Sequence, residues 1–175
     1  MSQDRRIQDH LPDSGWSLRR IEERDVDWIY EACQDPLIQR WTLIPRPYTR
    51  EHANSFTRDL AGDVAVWAIE KREIDRPLGV LGIHSISECD GAADIGYWMA
   101  PWGRGIGGMK AALSLLLSEL RNWPTVAAVK ATIAESNTAS RRTVESAGFK
   151  LLGPSEQSCR CGEEQVNAVT YEKRL

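Results

Sequence analysis

Residues 94–120 read DIGYWMAPWGRGIGGMKAALSLLLSEL, and the rest of the chain is organised around them. Ile95 to Met99 is a short alternating, aromatic run, which reads as a strand. Pro101 interrupts it, glycines follow at 103, 105, 107 and 108, and Met109 to Leu120 is an apolar-rich run of helical length. A strand that passes through a glycine loop into a helix is a place to hold an anion. The first helical turn leaves N–H groups unpaired, its dipole favours negative charge, and glycine lets the backbone close around a phosphate. A glycine-rich turn with no ligand is the alternative, and this stretch alone leaves both open.

Working outward, three strands precede the loop. Val64 to Lys71 has β-branched and aromatic content, and Leu78 to Ile86 follows a turn at Arg72–Pro77. Residues 87–93, SECDGAA, then turn the chain into the strand at Asp94–Met99. Connections this short leave no room for helices, so these strands form an antiparallel meander. Beyond Leu120, Asn122-Trp123-Pro124 closes the helix, and Thr125 to Ile133 reads as another strand. A strand–helix–strand unit of this size pairs its strands in parallel, with a right-handed crossover. Residues 135–149, ESNTASRRTVESAGF, form a further helix starting near Ser136 or Asn137 and ending at Gly148. The tail is a hairpin with a long loop around Cys159 and Cys161.

Toward the N-terminus, Trp16 to Ile21 alternates as a first strand, after a loose arm at residues 1–13. Asp25 is a candidate N-cap for a helix carrying Val26, Ile29, Tyr30 and Cys33 on one face. Pro36 stops or jogs it, and a second helical stripe, Ala53, Phe56 and Leu60, follows a cap near Thr49. The expected fold class is α/β (α+β): a mixed, mostly antiparallel sheet flanked by helices, in a single domain over residues 14–175.

Composition narrows the function classes. With 42% hydrophobic and 27% charged residues in 175, the chain reads as one soluble globular domain. A net charge of -3 argues against a nucleic-acid partner, and the 7 tryptophans are spread out rather than set along a basic groove. No run reaches the roughly 18 apolar residues of a membrane span. The polar N-terminus lacks the apolar core of a signal peptide, so a cytoplasmic protein without disulfides is expected. Cys33 and Cys89 stand apart, and Cys159 and Cys161 have no second pair at zinc-ligand spacing, so no metal is expected. The glycines do not match the G-x-G-x-x-G dinucleotide loop, and no GK[ST] follows them for a Walker A loop.

Asp94-Ile95-Gly96-Tyr97-Trp98, Pro101, the GRGIGG loop and the helix Asn137-x-x-Ser140…Glu145-x-x-Gly148-Phe149 together resemble the GCN5-related N-acetyltransferase (GNAT) superfamily. Within it, the pattern is similar to the branch that acetylates N-termini of ribosomal proteins and small amines. The resemblance runs from Trp16 to the closing VTYEKRL. It implies a GNAT-like acyl-CoA N-acyltransferase fold and direct transfer of an acetyl group from acetyl-CoA, as co-substrate, to a primary amine through a tetrahedral intermediate.

The same resemblance implies roles. Acetyl-CoA would lie where the strand at 94–99 splays from the strand at 125–133. Residues 102–108 (Trp102, Gly103, Arg104, Gly105, Ile106, Gly107, Gly108) would bind the cofactor: backbone N–H groups of Arg104 to Gly108 would hold its pyrophosphate, Gly103, Gly105 and Gly107 would permit the approach, and Arg104 would add charge. A backbone N–H near Trp98 or Met99 would stabilise the oxyanion. Asn137 would bond the pantetheine arm, and Ser140 would stand in for the tyrosine that many members use to protonate the thiolate, since that position is Val144 here. Trp102 stands where relatives often carry Arg or Gln, so that phosphate contact must come from elsewhere. An acceptor amine is protonated at pH 7 and needs a base; Asp94 is the first candidate, with Glu135 and His84 as alternatives. Trp41 and Tyr48, in the loop-rich RWTLIPRPY stretch, are candidate walls of an acceptor pocket, with His84 near it. The acceptor is a protein N-terminus or a small amine, and a homodimer stays open. The competing reading from another class is a non-catalytic acyl-CoA-binding or interaction module; a nucleotide-dependent enzyme is a third.

Overall fold

The meander expected before the glycine loop forms, and it continues into an eight-stranded sheet. The protein is represented by a computed structural model that describes residues 7–8, 14–156, 159–161 and 164–175. In chain order the elements are β1 (Ile7–Gln8), β2 (Trp16–Arg20), α1 (Val26–Ala32), α2 (Pro36–Trp41), α3 (Arg50–Asp59), β3 (Ala65–Lys71), β4 (Ile74–Ile86) and β5 (Ala92–Met99). Then come α4 (Gly108–Leu120), β6 (Ala128–Ala134), α5 (Thr138–Ser146), β7 (Lys150–Pro154), β8 (Cys159–Cys161), β9 (Glu164–Val166) and β10 (Ala168–Arg174). The sheet order is β1-β2-β3-β4-β5-β6-β10-β7, and β8 and β9 form a separate hairpin. Every neighbouring pair is antiparallel except β5 and β6, which the α4 crossover makes parallel.

Alternation along the strands sends two apolar sets to opposite faces. Leu18, Trp67, Ile69, Leu81, Ile83 and Ile95 meet Leu113, Leu116 and Leu120 of α4 and Val144 of α5. Each fully buried leucine contributes about 1.5–3 kcal/mol, which explains a helix apolar on more than one side. On the other face Val66, Ala68 and Val80 pack under Trp28, Ile29 and Ala32 of α1, Ile38 of α2 and Ala53 of α3. No helix among the described residues is long and apolar enough to cross a membrane.

Several expectations needed correction. The turn read at Arg72–Pro77 is only Arg72 and Glu73, because β4 already begins at Ile74 opposite Lys71. Pro77 is tolerated there since it falls where the β3–β4 register shifts, between Ile69 opposite Gly79 and Lys71 opposite Ile74, so its missing N–H interrupts no regular ladder bond. Asp25 does not cap α1 with its side chain. It is instead the buried acceptor for Arg19 (2.8 and 2.9 Å), the Trp28 indole N–H (2.7 Å) and the Glu22 N–H (2.8 Å). Of the arm at residues 1–13, Ile7–Gln8 pair with β2, and the remainder lies outside the described residues. Thr49 does cap α3, in a box with His52.

Candidate active site

The site begins where the sheet splits. β5 and β6 pair only over Ala92–Asp94 and Ala128–Lys130. Beyond that, β5 stays in register with β4 through Met99, while β6 follows β10 through Ala134. Each strand holds to its antiparallel partner, and the two diverge into a fork whose mouth lies at their C-terminal ends. Both strands feed helices there, so the N-termini of α4 and α5 flank the mouth with the positive ends of two dipoles.

At α4 the first intrahelical bond recorded at its start is Ala111 N–H to Gly107 O, 3.1 Å. The N–H groups of Gly108, Met109 and Lys110 therefore have no carbonyl in a preceding turn, and the N-cap residue, Gly107, has no side chain to cap them. Gly105 and Gly107 take φ of 78° and 80° with open space where a Cβ would point, the backbone freedom an anion cradle uses. Gly103 serves packing instead. A Cβ there would lie 2.4 Å from Leu78 O.

Ala100 N–H donates to Leu78 O at 2.9 Å. Antiparallel ladders alternate, so the N–H of Trp98 turns toward β4 and that of Met99 toward the fork. The side chain of Tyr97 reaches the first turn of α5, where its hydroxyl lies 2.8 Å from Ser140 Oγ and 3.3 Å from Ser140 O. Burial pushes the Tyr97 phenol up to about 12, against the pull of the Ser140 hydrogen bond. Asn137 caps that turn by accepting from Ser140 N–H (3.2 Å).

Asp94 sits at the closed end of the fork on the opposite face, half-buried. Burial holds its carboxyl above the usual range, against the pull of His84 and Lys130. Lys130, its partner across the parallel pair, gives its ammonium to Asp90 at 2.7 Å. His84 faces this side by alternation from Val80 and Gly82, and it sits at a bulge. Ile83 opposes Ile95 and Ser85 opposes Asp94, so His84 is the extra residue of β4. Its ring lies over Gly96, and Nδ1 is 2.7 Å from Asp63 Oδ1. The hairpin β8–β9 leans over the same face between β6 and α2, with Cys159 Sγ 3.8 Å from Thr132 O. The Cys161 side chain lies outside the described residues.

Other expected residues fall elsewhere. The Arg104 guanidinium does not stand free for a phosphate: it bonds Asp35 (2.5 and 3.3 Å), the N-cap of α2, and holds that carboxyl below its ordinary value. Trp102 donates to Pro77 O (2.9 Å) under the Arg76 guanidinium, 3.4 Å from its ring. Ile106 is exposed, and Trp98 packs on Trp28 at 5.7 Å. Tyr48 is no pocket wall. It precedes the α3 cap as a hydrophobic staple, 6% exposed in one cluster with Ala53, and burial pushes its phenol up beside Cys33. Trp41 ends α2, half-buried under Arg40. Glu135 lies past the end of β6, beside a depression shared with Ser136, Val166 and Asn167. It is five residues beyond Lys130, hence roughly 16 Å along the strand from Asp94's partner. Asp63, Asp35 and Tyr97 were absent from the expected site; only tertiary pairing reveals them, although Gly62-Asp63 and the GYW alternation mark two of them in sequence.

The sequence model of the acetyltransferase (GNAT) domain matches residues 17–150. The chain is 24% identical over 147 residues to an uncharacterised N-acetyltransferase, YoaA, of Bacillus subtilis strain 168, covering 80% of this chain and 82% of that one. Its fold superposes on the ribosomal-protein alpha-N-acetyltransferase RimL in complex with coenzyme A, with TM-score 0.84, 19% identity and 98% of both chains covered. It also superposes on the microcin C7 self-immunity acetyltransferase MccE in complex with acetyl-CoA and AMP, with TM-score 0.80, 17% identity and 93% of each chain covered.

Proposed function

This chain belongs to the GNAT acetyltransferase family, and from that premise we propose that it moves the acetyl group of acetyl-CoA directly to a primary amine. The observation that carries the reading is the fork between β5 and β6 with its mouth flanked by two helix N-termini. The residues present fit the coenzyme: open N–H groups at Gly108–Lys110 and left-handed glycines at 105 and 107 suit a pyrophosphate. Two similar folds were solved with coenzyme A or acetyl-CoA bound.

The Met99 N–H, turned toward the fork, would donate to the thioester carbonyl as charge develops on its oxygen. The amine would enter from the face that carries Asp94, which receives it as a cation. Attack forms the C–N bond, and collapse of the tetrahedral intermediate breaks C–S. The departing thiolate takes a proton relayed through the Ser140 hydroxyl, which Tyr97 holds at 2.8 Å and which regains a proton from solvent as it gives one up, or from a water in its place. Alpha-amino groups are the acceptor class we favour, because RimL is an alpha-N-protein acetyltransferase and matches over 98% of the chain.

The test is an acceptor panel of N-terminal peptides beside small alkylamines and polyamines, with acetyl-CoA, scored by free thiol. Amine-dependent thiol release supports the reading. Stoichiometric CoA binding without release for any amine would favour a non-catalytic acyl-CoA module.

A further inference from the structure

Asp63, His84 and Gly96 share no sequence neighbourhood, yet they meet on the acceptor face of the fork. Three separate features aim one imidazole there. The bulge between Ile83 and Ser85 throws His84 out of the ladder. Gly96 leaves room for the ring: a Cβ at that position would stand 2.1 Å from His84 Nε2 and 2.9 Å from Cε1. Asp63, at the end of the turn after α3 and itself mostly buried, takes Nδ1 at 2.7 Å. Gly82 leaves space beside it, with Asp63 Oδ2 3.6 Å from where a Cβ would be.

With Nδ1–H donating to Asp63, the neutral ring carries its lone pair on Nε2. Nε2 lies over β5 two residues from Asp94, and the ring is half exposed to solvent. We propose that His84, oriented by Asp63, is the base that takes the proton from the acceptor ammonium, and that Asp94 holds the cation without abstracting its proton. This rests on the acetyl-transfer reading above. The charged groups that face the ring are Asp63 from the segment after α3 and Asp94 from β5; Lys130 of β6 lies behind Asp94, committed to Asp90.

The proton balance is complete. The ammonium loses one proton to His84 Nε2, which passes it to solvent, and the free amine attacks the thioester carbonyl. The second nitrogen proton is released as the amide forms, and the thiolate leaves as CoA thiol.

The experiment compares wild type, His84→Gln and Asp63→Asn on the fastest acceptor of the peptide and amine panel, between pH 6 and 10 as a rough span of amine titration. Glutamine keeps a hydrogen bond to Asp63 and supplies no base. The expected result is a fall in kcat at pH 7 of about 10²–10⁴ for His84→Gln, with acetyl-CoA affinity unchanged. The variant's rate should then climb with pH toward the acceptor amine's own pKa while the wild type's levels off. Asp63→Asn should move in the same direction by less. A His84→Gln enzyme within twofold of wild type, or one whose loss lies in acceptor KM alone, or one whose loss persists unchanged at high pH, would overturn the assignment. Absence of thiol release by the wild type with every amine would instead overturn the transfer reading itself.

Discussion

Replacing Gly96 with alanine separates the catalytic use of this fork from its stability. The new methyl group would stand 2.1 Å from His84 Nε2 and 3.2 Å from its Cδ2, so the ring has to leave the face of β5. His84 is half exposed and can swing into solvent, at the expense of the 2.7 Å bond to Asp63. A half-exposed bond of this kind contributes about 0.5–1.5 kcal/mol. Alanine in a strand recovers about 0.5–1 kcal/mol relative to glycine. The two nearly cancel. The melting temperature should therefore shift by no more than about 2–4 °C, while acetyl transfer at pH 7 falls by about two orders of magnitude through loss of the base. Calorimetry and the thiol-release assay on one preparation decide the matter. A collapse in melting temperature would mean that the ring cannot move; full activity with an unchanged melt would mean that its position is irrelevant.

Asp25→Ala removes the two-pronged partner of the Arg19 guanidinium, 8% exposed and left with Glu70 at 2.8 Å, along with the acceptor of the Trp28 indole and the Glu22 N–H, and should cost about 3 kcal/mol, read as a lower midpoint in urea. The Asp25 carboxyl is held below its ordinary value, burial opposing and Arg19 overcoming it, so this stability is present above about pH 3.9 and is lost as pH falls through the lowered folded value. Asp94 has the opposite sign. Burial raises its carboxyl, so ionising it penalises the folded state as pH rises past about 3.9, and Asp94→Asn should melt higher than wild type at pH 7 while the difference disappears in acid. Equal melts at pH 7 would show that the carboxyl is solvated. Tyr97→Phe removes the bond to Ser140 Oγ; kcat should fall with little change in KM for acetyl-CoA, and stability should drop by about 1 kcal/mol in denaturant titration. A change confined to KM would place Tyr97 in binding rather than in thiolate departure.

Much of the architecture was legible because it is local. Met109–Leu120 announces a buried helix by its apolar run, Gly148 stops α5 with a φ of 84°, and short turns force the meander. The parallel pair follows from the crossover length alone. What stayed hidden is long-range. Ser140 meets Tyr97 across 43 residues, and Arg104 meets Asp35 across 69. No spacing rule forecasts such pairs. Alternation does send His84 to the Gly82 side, but a period-2 reading cannot show the bulge that leaves it unpaired or the Asp63 carboxylate, 21 residues away, that holds its ring. Tyr48 misled for the reverse reason: its proline-rich neighbourhood reads as loop, while its position before the Thr49 cap draws it into the α1–α3 core.

The measurement that bears most directly on the central claim is single-turnover mass spectrometry of the protein with acetyl-CoA and the amine panel. The account predicts one acetylated amine for each CoA thiol released, with no acetyl group left on the chain. An acetylated protein intermediate, or acetyl-CoA bound intact while every amine stays unmodified, would contradict it.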